Sequence, residues 1–383
     1  MARWTWAQAC ARRLERQALS VPSPDARPAD VVHAMCAAHA QVLTAAEWSV
    51  GLRIAGATRA QMQEALWTEH TLVKSFGPRG TVHLLAAKDL PMWVGALSAI
   101  PASDPALPQD ARLTTEQADA VVDAIAVALQ DAELTVEELD DAVVAGAGAW
   151  AGDPVVPAWY GMRPRWRPAI YRAARRGVLC FGANRGRQVT YTSPRRWLPG
   201  LEPTEPDAAL AALVAQYLGA FGPATPAHFA QWLGVPRRWA TELFDSLSGQ
   251  LDTVDLDGTT AKLPAGEAAA PSTAPVGVRL LPYFDAYSVG CQPRAKVFPG
   301  KASERALAGG QAGNFPVVLV DGMVAGVWHQ RLSGRRVAVT VEPLHRLTAA
   351  TRRDLDEQVQ RLGSFLAATP TLSIGKVTVG AHA

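Results

Sequence analysis

The chain has 383 residues, of which 49% are hydrophobic and 19% are charged, and its formal net charge is +2. One hydrophobic core rarely serves more than roughly 250–300 residues, so two or more folded units are expected. No apolar run approaches the roughly 18 residues that a membrane helix needs, and the first residues resemble no signal peptide. The scattered cysteines have no metal-ligand spacing. We therefore expect a cytoplasmic protein with reduced, buried cysteines.

The first part of the chain is predicted to form helices followed by a hairpin. The predicted helices span residues 5–19, 28–36, 45–54 and 59–67. Two strand-like runs, residues 71–76 and 81–85, flank a Gly-Pro turn and predict a β-hairpin. Helices followed by a hairpin are typical of a winged-helix fold.

The same order is predicted twice more. The second set has helices at 114–129, 135–147 and 168–176, with Thr115 as the expected N-cap of the first, and strands at 177–181 and 188–191. The third set has helices at 208–221, 225–233 and 237–247, and strands at 251–256 and 259–263. Asp257-Gly258 joins these last strands, and Asp-Gly is a strong hairpin signal.

Beyond a linker rich in Ala, Pro and Ser at residues 265–276, the pattern becomes mostly β. Strands are predicted at 278–281, 315–320, 323–330, 336–341 and 372–378, and one helix at 348–367. We predict an α+β protein of three tandem winged-helix units followed by a C-terminal β-barrel-like domain. The predicted parts are residues 1–104 (N-terminal helices and first winged helix), 105–200 (second), 201–264 (third) and 265–383 (β-rich domain).

Basic residues are concentrated in the middle of the chain. Between Pro154 and Gly200 there are ten arginines and no Asp or Glu. Such a block in a near-neutral chain is typical of a polyanion partner. The alternative is that some arginines face solvent or pair with the acidic segment at 133–141. Trp159 and Trp166, which lie among the arginines, are interpreted as core residues.

One short stretch near the start could carry chemistry. His39 and Gln41 flank the small apolar Ala40. In a helix, side chains two residues apart point roughly 200° apart, so a joint role requires an extended segment with Ala40 directed into the protein. The alternative is that both side chains only satisfy backbone groups at a helix end.

Several further stretches, together with the one around His39, carry a resemblance to a known family. They are LERQAL at 14–19, RGTVHL at 79–84, YLGAFGPAT at 217–225, LPYFDAYSVG at 281–290 and LVDGMVAGVW at 319–328. In this order they are similar to the bacterial winged-helix DNA glycosylases of the AlkZ/YcaQ type, over nearly the whole chain. The resemblance implies three tandem winged helices that cup DNA, followed by a C-terminal β-barrel.

The resemblance also implies an activity. Members hydrolyse the N-glycosidic bond of N7-alkylated purines, including bulky adducts and crosslinks made by genotoxic natural products, and some give antibiotic producers self-resistance. The family's catalytic motif is Gln, an apolar residue, then Gln or Asp. Ala40 and Gln41 match it, whereas His39 departs from it, which implies a restricted or altered choice of lesion.

An N7-alkylguanine is cationic and leaves without a general acid, so the enzyme must stabilise the developing charge and place a water at C1′. We expect Gln41 to orient this water and His39 to act as a base or a lesion contact. Glu47, the nearest carboxylate, is left out because it falls in a predicted helix. The expected DNA-binding residues are Arg79, His83, Arg163, Arg165, Arg167, Arg185 and Arg187.

The sequence thus predicts a monofunctional DNA glycosylase that needs no cofactor and acts as a monomer on duplex DNA carrying alkylated purines. No lysine lies beside the motif, so Schiff-base lyase chemistry is not indicated. A non-enzymatic winged-helix transcriptional regulator is the alternative. It would bind specific sequences as a dimer, whereas a glycosylase would bind with little sequence preference and a strong salt dependence. A nuclease is a weaker third possibility, since paired acidic metal ligands are not evident.

Overall fold

A computed structural model describes residues 1–101, 107–158 and 161–380 of this mixed α+β protein. The chain divides into two compact units, which agrees with the expectation from its length. The first unit comprises Met1–Ala65 and Val214–Ala383, and the second comprises Leu66–Leu213. The finer division into four parts stays a prediction, and its boundary between residues 104 and 105 lies outside the described residues.

The regular elements of the described residues are as follows. The α-helices are α1 (Trp6–Arg16), α2 (Pro28–Ala34), α3 (Leu43–Gly51), α4 (Arg59–Trp67), α5 (Leu90–Ala99), α6 (Thr115–Leu129), α7 (Val136–Ala147), α8 (Ile170–Arg175), α9 (Pro206–Phe221), α10 (Pro226–Leu233), α11 (Arg237–Ser246), α12 (Ala286–Gly290), α13 (Arg294–Val297), α14 (Lys301–Ala306) and α15 (Ala349–Phe365). The β-strands are β1 (Ala2–Trp4), β2 (Ala38–His39), β3 (Leu72–Phe76), β4 (Val82–Ala86), β5 (Glu133–Thr135), β6 (Pro154–Pro157), β7 (Met162–Pro164), β8 (Cys180–Phe181), β9 (Thr190–Thr192), β10 (Leu251–Leu256), β11 (Thr259–Pro264), β12 (Val278–Leu281), β13 (Val317–Val320), β14 (Met323–Ser333), β15 (Arg336–Pro343) and β16 (Thr369–Ile374). None of the helices in the described part of the chain is both long and apolar enough to cross a membrane.

Threonine is a recurring N-cap. Thr5, Thr114, Thr135 and Thr225 each accept a hydrogen bond from the backbone N–H three residues on, and the side chain at that position reaches back to the cap. This reciprocal arrangement satisfies two backbone donors that the first helical turn leaves unpaired. The prediction that Thr115 caps α6 was wrong by one residue, because Thr114 has the extended backbone that an N-cap needs.

In the first unit, a three-stranded sheet joins the N-terminus to the third predicted hairpin. β10 and β11 pair antiparallel, from Leu251↔Pro264 to Leu256↔Thr259, which confirms this hairpin. Its turn residues Asp257 and Gly258 have φ of 47° and 84°, as a two-residue turn of this kind requires. β1 adds to β10 in parallel and was not predicted.

The C-terminal strands of the first unit form one five-stranded sheet in the order β12-β13-β14-β15-β16. Neighbours are antiparallel except β15 and β16, which are parallel. A closed barrel would need β12 to pair with β16, but α15 packs against both of these edge strands. The sheet is therefore open within the residues described, and the predicted barrel is not confirmed. The short helices α12 to α14 were not predicted.

The second unit has its own core and the first two predicted hairpins. β3 and β4 pair antiparallel from Leu72↔Ala86 to Phe76↔Val82. β5, between α6 and α7, joins the hairpin β8–β9 in a second sheet. Trp166 is fully buried in the core beside these elements, which confirms the core position predicted for it. Trp159, with the same prediction, lies outside the described residues.

Candidate active site

The backbone turns sharply just before the stretch that contains His39. α2 ends at Ala34, and the two residues Cys36 and Ala37 then have φ of 53° and 82°. The Ala37 N–H donates to the Val32 carbonyl (3.1 Å), which closes the helix end. Such a helix end is usually formed by glycine, because a Cβ disfavours positive φ. The chain then runs straight into β2. The turn is therefore strained, and strain of this kind often lies beside a functional site.

The structure meets part of the condition that a joint role requires. β2 is extended and ends at His39, and the backbone bends at Gln41. Ala40 is buried, with 1% of its surface exposed, as expected for a residue directed into the protein. Gln41 is exposed, whereas His39 is buried at 8%. α3 begins at Leu43, so both side chains lie just before a helix N-terminus.

One long hydrogen bond joins the two residues and bears on the imidazole tautomer. The backbone N–H of Gln41 lies 3.5 Å from His39 Nδ1 and donates to it. An Nδ1 that accepts a hydrogen bond carries no proton, so the neutral ring is protonated at Nε2. In that tautomer Nε2 is a hydrogen-bond donor. A ring that acts as a base through Nε2 would need the opposite tautomer.

Phe284 contacts His39 and was missed as a site residue. The two rings are stacked, with centroids 4.4 Å apart and an interplanar angle of 23°. Phe284 has φ of 56°, which is unusual for a residue with a side chain. The only signal in the sequence was its place in the LPYFDAYSVG stretch, which said nothing about a partner.

The next residue, Asp285, belongs to a fully buried ion pair. Its two carboxylate oxygens accept hydrogen bonds from the guanidinium of Arg53 at 2.8 and 2.9 Å, and both side chains are 0% exposed. The Ser49 hydroxyl (2.6 Å) and the Tyr287 backbone N–H (2.9 Å) also donate to it. Because several donors satisfy the carboxylate, the buried charge is compensated. Asp285 therefore has a structural role.

Neighbouring side chains bind the Glu47 carboxylate. This carboxylate on α3 is 1% exposed and accepts hydrogen bonds from Arg59 Nε (2.6 Å) and Gln63 Nε2 (3.4 Å). Both carboxylate oxygens therefore already accept hydrogen bonds from neighbouring side chains. The geometry supports leaving Glu47 out of the site.

Arg79 and His83 lie on the β3–β4 hairpin of the second unit. Arg79 is exposed in the turn and has φ of 57°. His83 is 5% exposed, and its Nδ1 donates to the Thr81 carbonyl (2.9 Å). Gly77 lies against this ring, since a Cβ at that position would come within 3.0 Å of it. Arg79 is therefore exposed in the turn, although partial burial of its guanidinium lowers its pKa, whereas His83 is packed within the hairpin.

Some of the arginines expected to bind DNA already pair with acidic side chains of the second unit. Arg165 pairs with Asp153 (3.3 Å), whereas Arg167 and Arg185 pair with two acidic residues of α7. Those partners are Asp140 (3.6 Å) for Arg167 and Glu138 (3.0 Å) for Arg185. Burial raises the pKa of Asp140, and Arg167 opposes that shift. The acidic segment thus neutralises part of the basic block.

Arg163, on β7, and Arg187, in the β8–β9 turn, are exposed. The site residues predicted from the sequence are therefore distributed over both units. The first unit brings together His39 and Gln41, and the second carries the histidine and arginines expected to bind DNA. Among the residues that the structure describes, no group of three or more His, Cys, Asp or Glu side chains could hold a metal ion.

Comparison with known proteins defines the class of this protein. The family model for the AlkZ-like DNA glycosylases matches residues 32–365, a range that includes His39, Gln41 and Phe284. The chain therefore belongs to the AlkZ-like DNA glycosylase family and is a monofunctional DNA glycosylase, an enzyme of DNA repair. The family resemblance read from the sequence is confirmed, and the alternative of a non-enzymatic regulator is not favoured.

Two similar proteins come from Streptomyces sahachiroi. An interstrand DNA cross-link repair glycosylase is 32% identical over 341 residues, which cover 85% of this chain and 87% of that protein. The solved structure of the DNA glycosylase AlkZ aligns with a TM-score of 0.80 at 27% identity, over 97% of this chain and 100% of that one. The match over nearly the full length indicates a shared fold.

Proposed function

We propose that this DNA glycosylase hydrolyses the N-glycosidic bond of bulky N7-alkylguanine adducts, including interstrand crosslinks formed by genotoxic natural products. Repair and self-resistance would follow from that activity. The observation that carries the proposal is the pairing of His39 with Gln41 just before α3, within the range that matches the family model. The cross-link repair named for the Streptomyces sahachiroi relative supports the choice of lesion.

The chemistry proposed for Gln41 is orientation of the attacking water. Its side chain is exposed, and its carboxamide oxygen can accept a hydrogen bond from a water while the amide donates to another group. The base of an N7-alkylguanine already carries positive charge, so it departs without being protonated. The remaining barrier lies in placing the water at C1′, which a fixed amide can lower.

For His39 we propose a lesion contact in preference to a general base. The accepting Nδ1 favours the tautomer with a proton on Nε2, which donates a hydrogen bond. A donor suits the carbonyl oxygen of guanine or an oxygen of a bulky adduct. Since the common family motif has glutamine at this position, a histidine would change which adducts fit.

The proposed DNA interface lies on the second unit. It comprises Arg79, His83, Arg163, Arg165, Arg167, Arg185 and Arg187, with the strongest role for the exposed Arg79, Arg163 and Arg187. We propose that three winged-helix units and the β-rich domain bind duplex DNA as a monomer. Three α-helices followed by a hairpin recur in the sets α2–β4, α6–β9 and α9–β11, and a short strand follows the first helix in the first two sets, which supports this. A cytoplasmic location stays a prediction.

The proposed function is tested by incubating the protein with duplexes that carry a panel of N7-guanine adducts, from methyl to bulky, and one crosslinked duplex. Released bases and abasic sites are then measured. We expect abasic sites from the bulky adducts and release of one arm of the crosslink. Abasic sites from the methyl adduct alone would contradict the proposed substrate, and none from any adduct would contradict the proposed activity.

A further inference from the structure

We propose that Phe284 is a positioning residue that fixes the plane and tautomer of the His39 imidazole, and that the buried Arg53–Asp285 pair holds Phe284 in place. The inference rests on the proposed function of His39 and adds a residue to that site. Phe284 acts through His39 in this account and has no direct role in the reaction.

Two constraints act on the imidazole ring from different sides. The Phe284 ring covers one face of it at 4.4 Å, nearly parallel, and the Gln41 N–H meets its edge at Nδ1. Rotation of the imidazole about its Cβ–Cγ bond would lose both contacts at once. The stack and the hydrogen bond therefore select one ring plane and leave Nε2 as the protonated nitrogen. A reacting group must be held within about 0.5 Å of its productive position, so such support matters for catalysis.

Phe284 is itself held in a conformation that it would not adopt alone. Its φ of 56° is strained for a residue with a Cβ, and its N–H donates to the Gly313 carbonyl (3.1 Å). A Cβ on Gly313 would come within 2.7 Å of the Phe284 ring, so only glycine leaves room for this ring. Strain of this kind persists only when the surroundings impose it.

The Arg53–Asp285 pair supplies that constraint. Asp285 directly follows Phe284, and Arg53 lies two residues beyond the last residue of α3. His39 and Gln41 lie just before the first residue of the same helix. The two consecutive residues Phe284 and Asp285 thus contact residues that flank α3 on either side, one through a stack with His39 and one through a buried ion pair with Arg53. This arrangement links the position of the Phe284 ring to that of the stretch it supports.

The contact is tested first in the protein without DNA. Selectively ¹³C,¹⁵N-histidine-labelled protein gives imidazole nitrogen and carbon-bound proton shifts, and His39→Ala identifies the His39 signals. We expect Nε2 protonated, Nδ1 unprotonated, and ring protons shifted upfield by the aromatic stack. Phe284→Leu should lose the upfield shift and mix the tautomers, whereas Phe284→Tyr should keep both features.

The control is Phe298→Leu, which truncates a phenylalanine of the same unit that is fully buried, whereas Phe284 is partly buried. It should lower thermal stability and leave the His39 signals unchanged. If Phe284→Leu leaves the His39 signals as in the wild type, or if Phe298→Leu changes them to the same extent, the inference is wrong.

The consequence for catalysis is tested by a double-mutant cycle on single-turnover base release at saturating enzyme. We expect Phe284→Leu to slow base release about ten-fold, because a small displacement of a group in the site can slow the reaction by this much. Phe284→Tyr should release the base at the wild-type rate. In the His39→Ala background, Phe284→Leu should have no further effect. An equal loss in both backgrounds would show that Phe284 does not act through His39. If His39→Ala alone retains the wild-type rate, the proposed role of His39 is wrong. The NMR spectra then still show whether Phe284 positions the His39 ring.

Discussion

At the scale of single residues, the site combines one exposed amide with one buried, stacked imidazole. Gln41 is free to meet a water, whereas His39 is held by a hydrogen bond at Nδ1 and a ring on its face. The two side chains therefore suit different tasks. Replacing the imidazole with another hydrogen-bond donor and measuring base release tests the task assigned to His39.

Substitution of His39 distinguishes a donor from a base. His39→Gln supplies an amide N–H at the position where the common family motif has glutamine, so base release from an adduct that either side chain can contact should stay within about three-fold of wild type. His39→Ala should lose about ten- to a hundred-fold, the usual cost of one polar contact in the transition state. Single-turnover rates on a bulky N7-guanine adduct provide the measurement. If His39→Gln is as slow as His39→Ala, the donor assignment is wrong.

Substitution of Asp285 tests the buried pair. Asp285→Asn leaves Arg53 as an uncompensated buried charge and should lower the free energy of unfolding by about 3–5 kcal/mol. Glu242→Gln is the matched control, because Glu242 pairs with Arg238 at a similar distance (2.8 Å) with side chains 60% and 90% exposed. It should change the free energy by less than about 1 kcal/mol. Urea denaturation measures both, and equal losses would contradict the assigned role of Asp285.

Some of the site could be predicted from the sequence. The alternation of His39, Ala40 and Gln41 predicted an extended stretch with Ala40 inside, and the structure buries Ala40 and extends the chain as far as His39. Phe284 could not be found in the same way, because its partner lies 245 positions away and its positive φ has no signature in a phenylalanine. Tertiary contacts decide both features.

At the scale of elements, α10 begins with a cap that depends on pH. His228 takes the place that glutamine or glutamate has in the other threonine boxes, and its Nδ1 accepts a hydrogen bond from the Thr225 N–H (3.3 Å). Burial, helped by the charge of Arg13, lowers the pKa of His228 to about 4. The folded protein therefore holds this ring neutral at pH values where a free histidine is charged.

This arrangement predicts an acid-sensitive stability. Between pH 6.5 and about 4 the unfolded chain binds a proton at His228 that the folded chain does not. The free energy of unfolding should fall as the pH decreases through that window, by up to about 3 kcal/mol from this group. His228→Gln keeps the cap and removes the titration. Urea denaturation at pH 7 and pH 4.5 should show a smaller difference for the variant, and an unchanged difference would contradict the prediction.

Some helices and some strands were predicted with their observed bounds, whereas α5, like α12 to α14, was not predicted. α4 was predicted with its observed bounds, because apolar periodicity and the Thr58 cap are local signals. β1 and β5 were missed, because three residues show no alternation and their partners, Val254 and Thr192, are distant in sequence. β16 begins three residues earlier than predicted, because its parallel pairing with β15 sets its register. The positions of these strands are determined by pairing with residues distant in sequence, which local patterns do not show.

At the scale of the whole molecule, binding to DNA should depend on exposed cations. A lost phosphate contact lowers the slope of log affinity against log salt by about 0.9. Arg163→Ala and Arg187→Ala should each produce a decrease close to this value. Arg185→Ala should change the slope less, because Glu138 already holds that side chain. Fluorescence anisotropy with an undamaged duplex at several salt concentrations measures all three. Equal slopes for wild type and both exposed-site variants would contradict the proposed interface.

The most direct test of the central claim is the single-turnover rate of base release from a bulky N7-alkylguanine duplex by wild type and Gln41→Ala. If Gln41 orients the attacking water, the variant should bind the duplex with wild-type affinity and release the base at least about a hundred-fold more slowly. Base release by Gln41→Ala at the wild-type rate would contradict the assignment of this site.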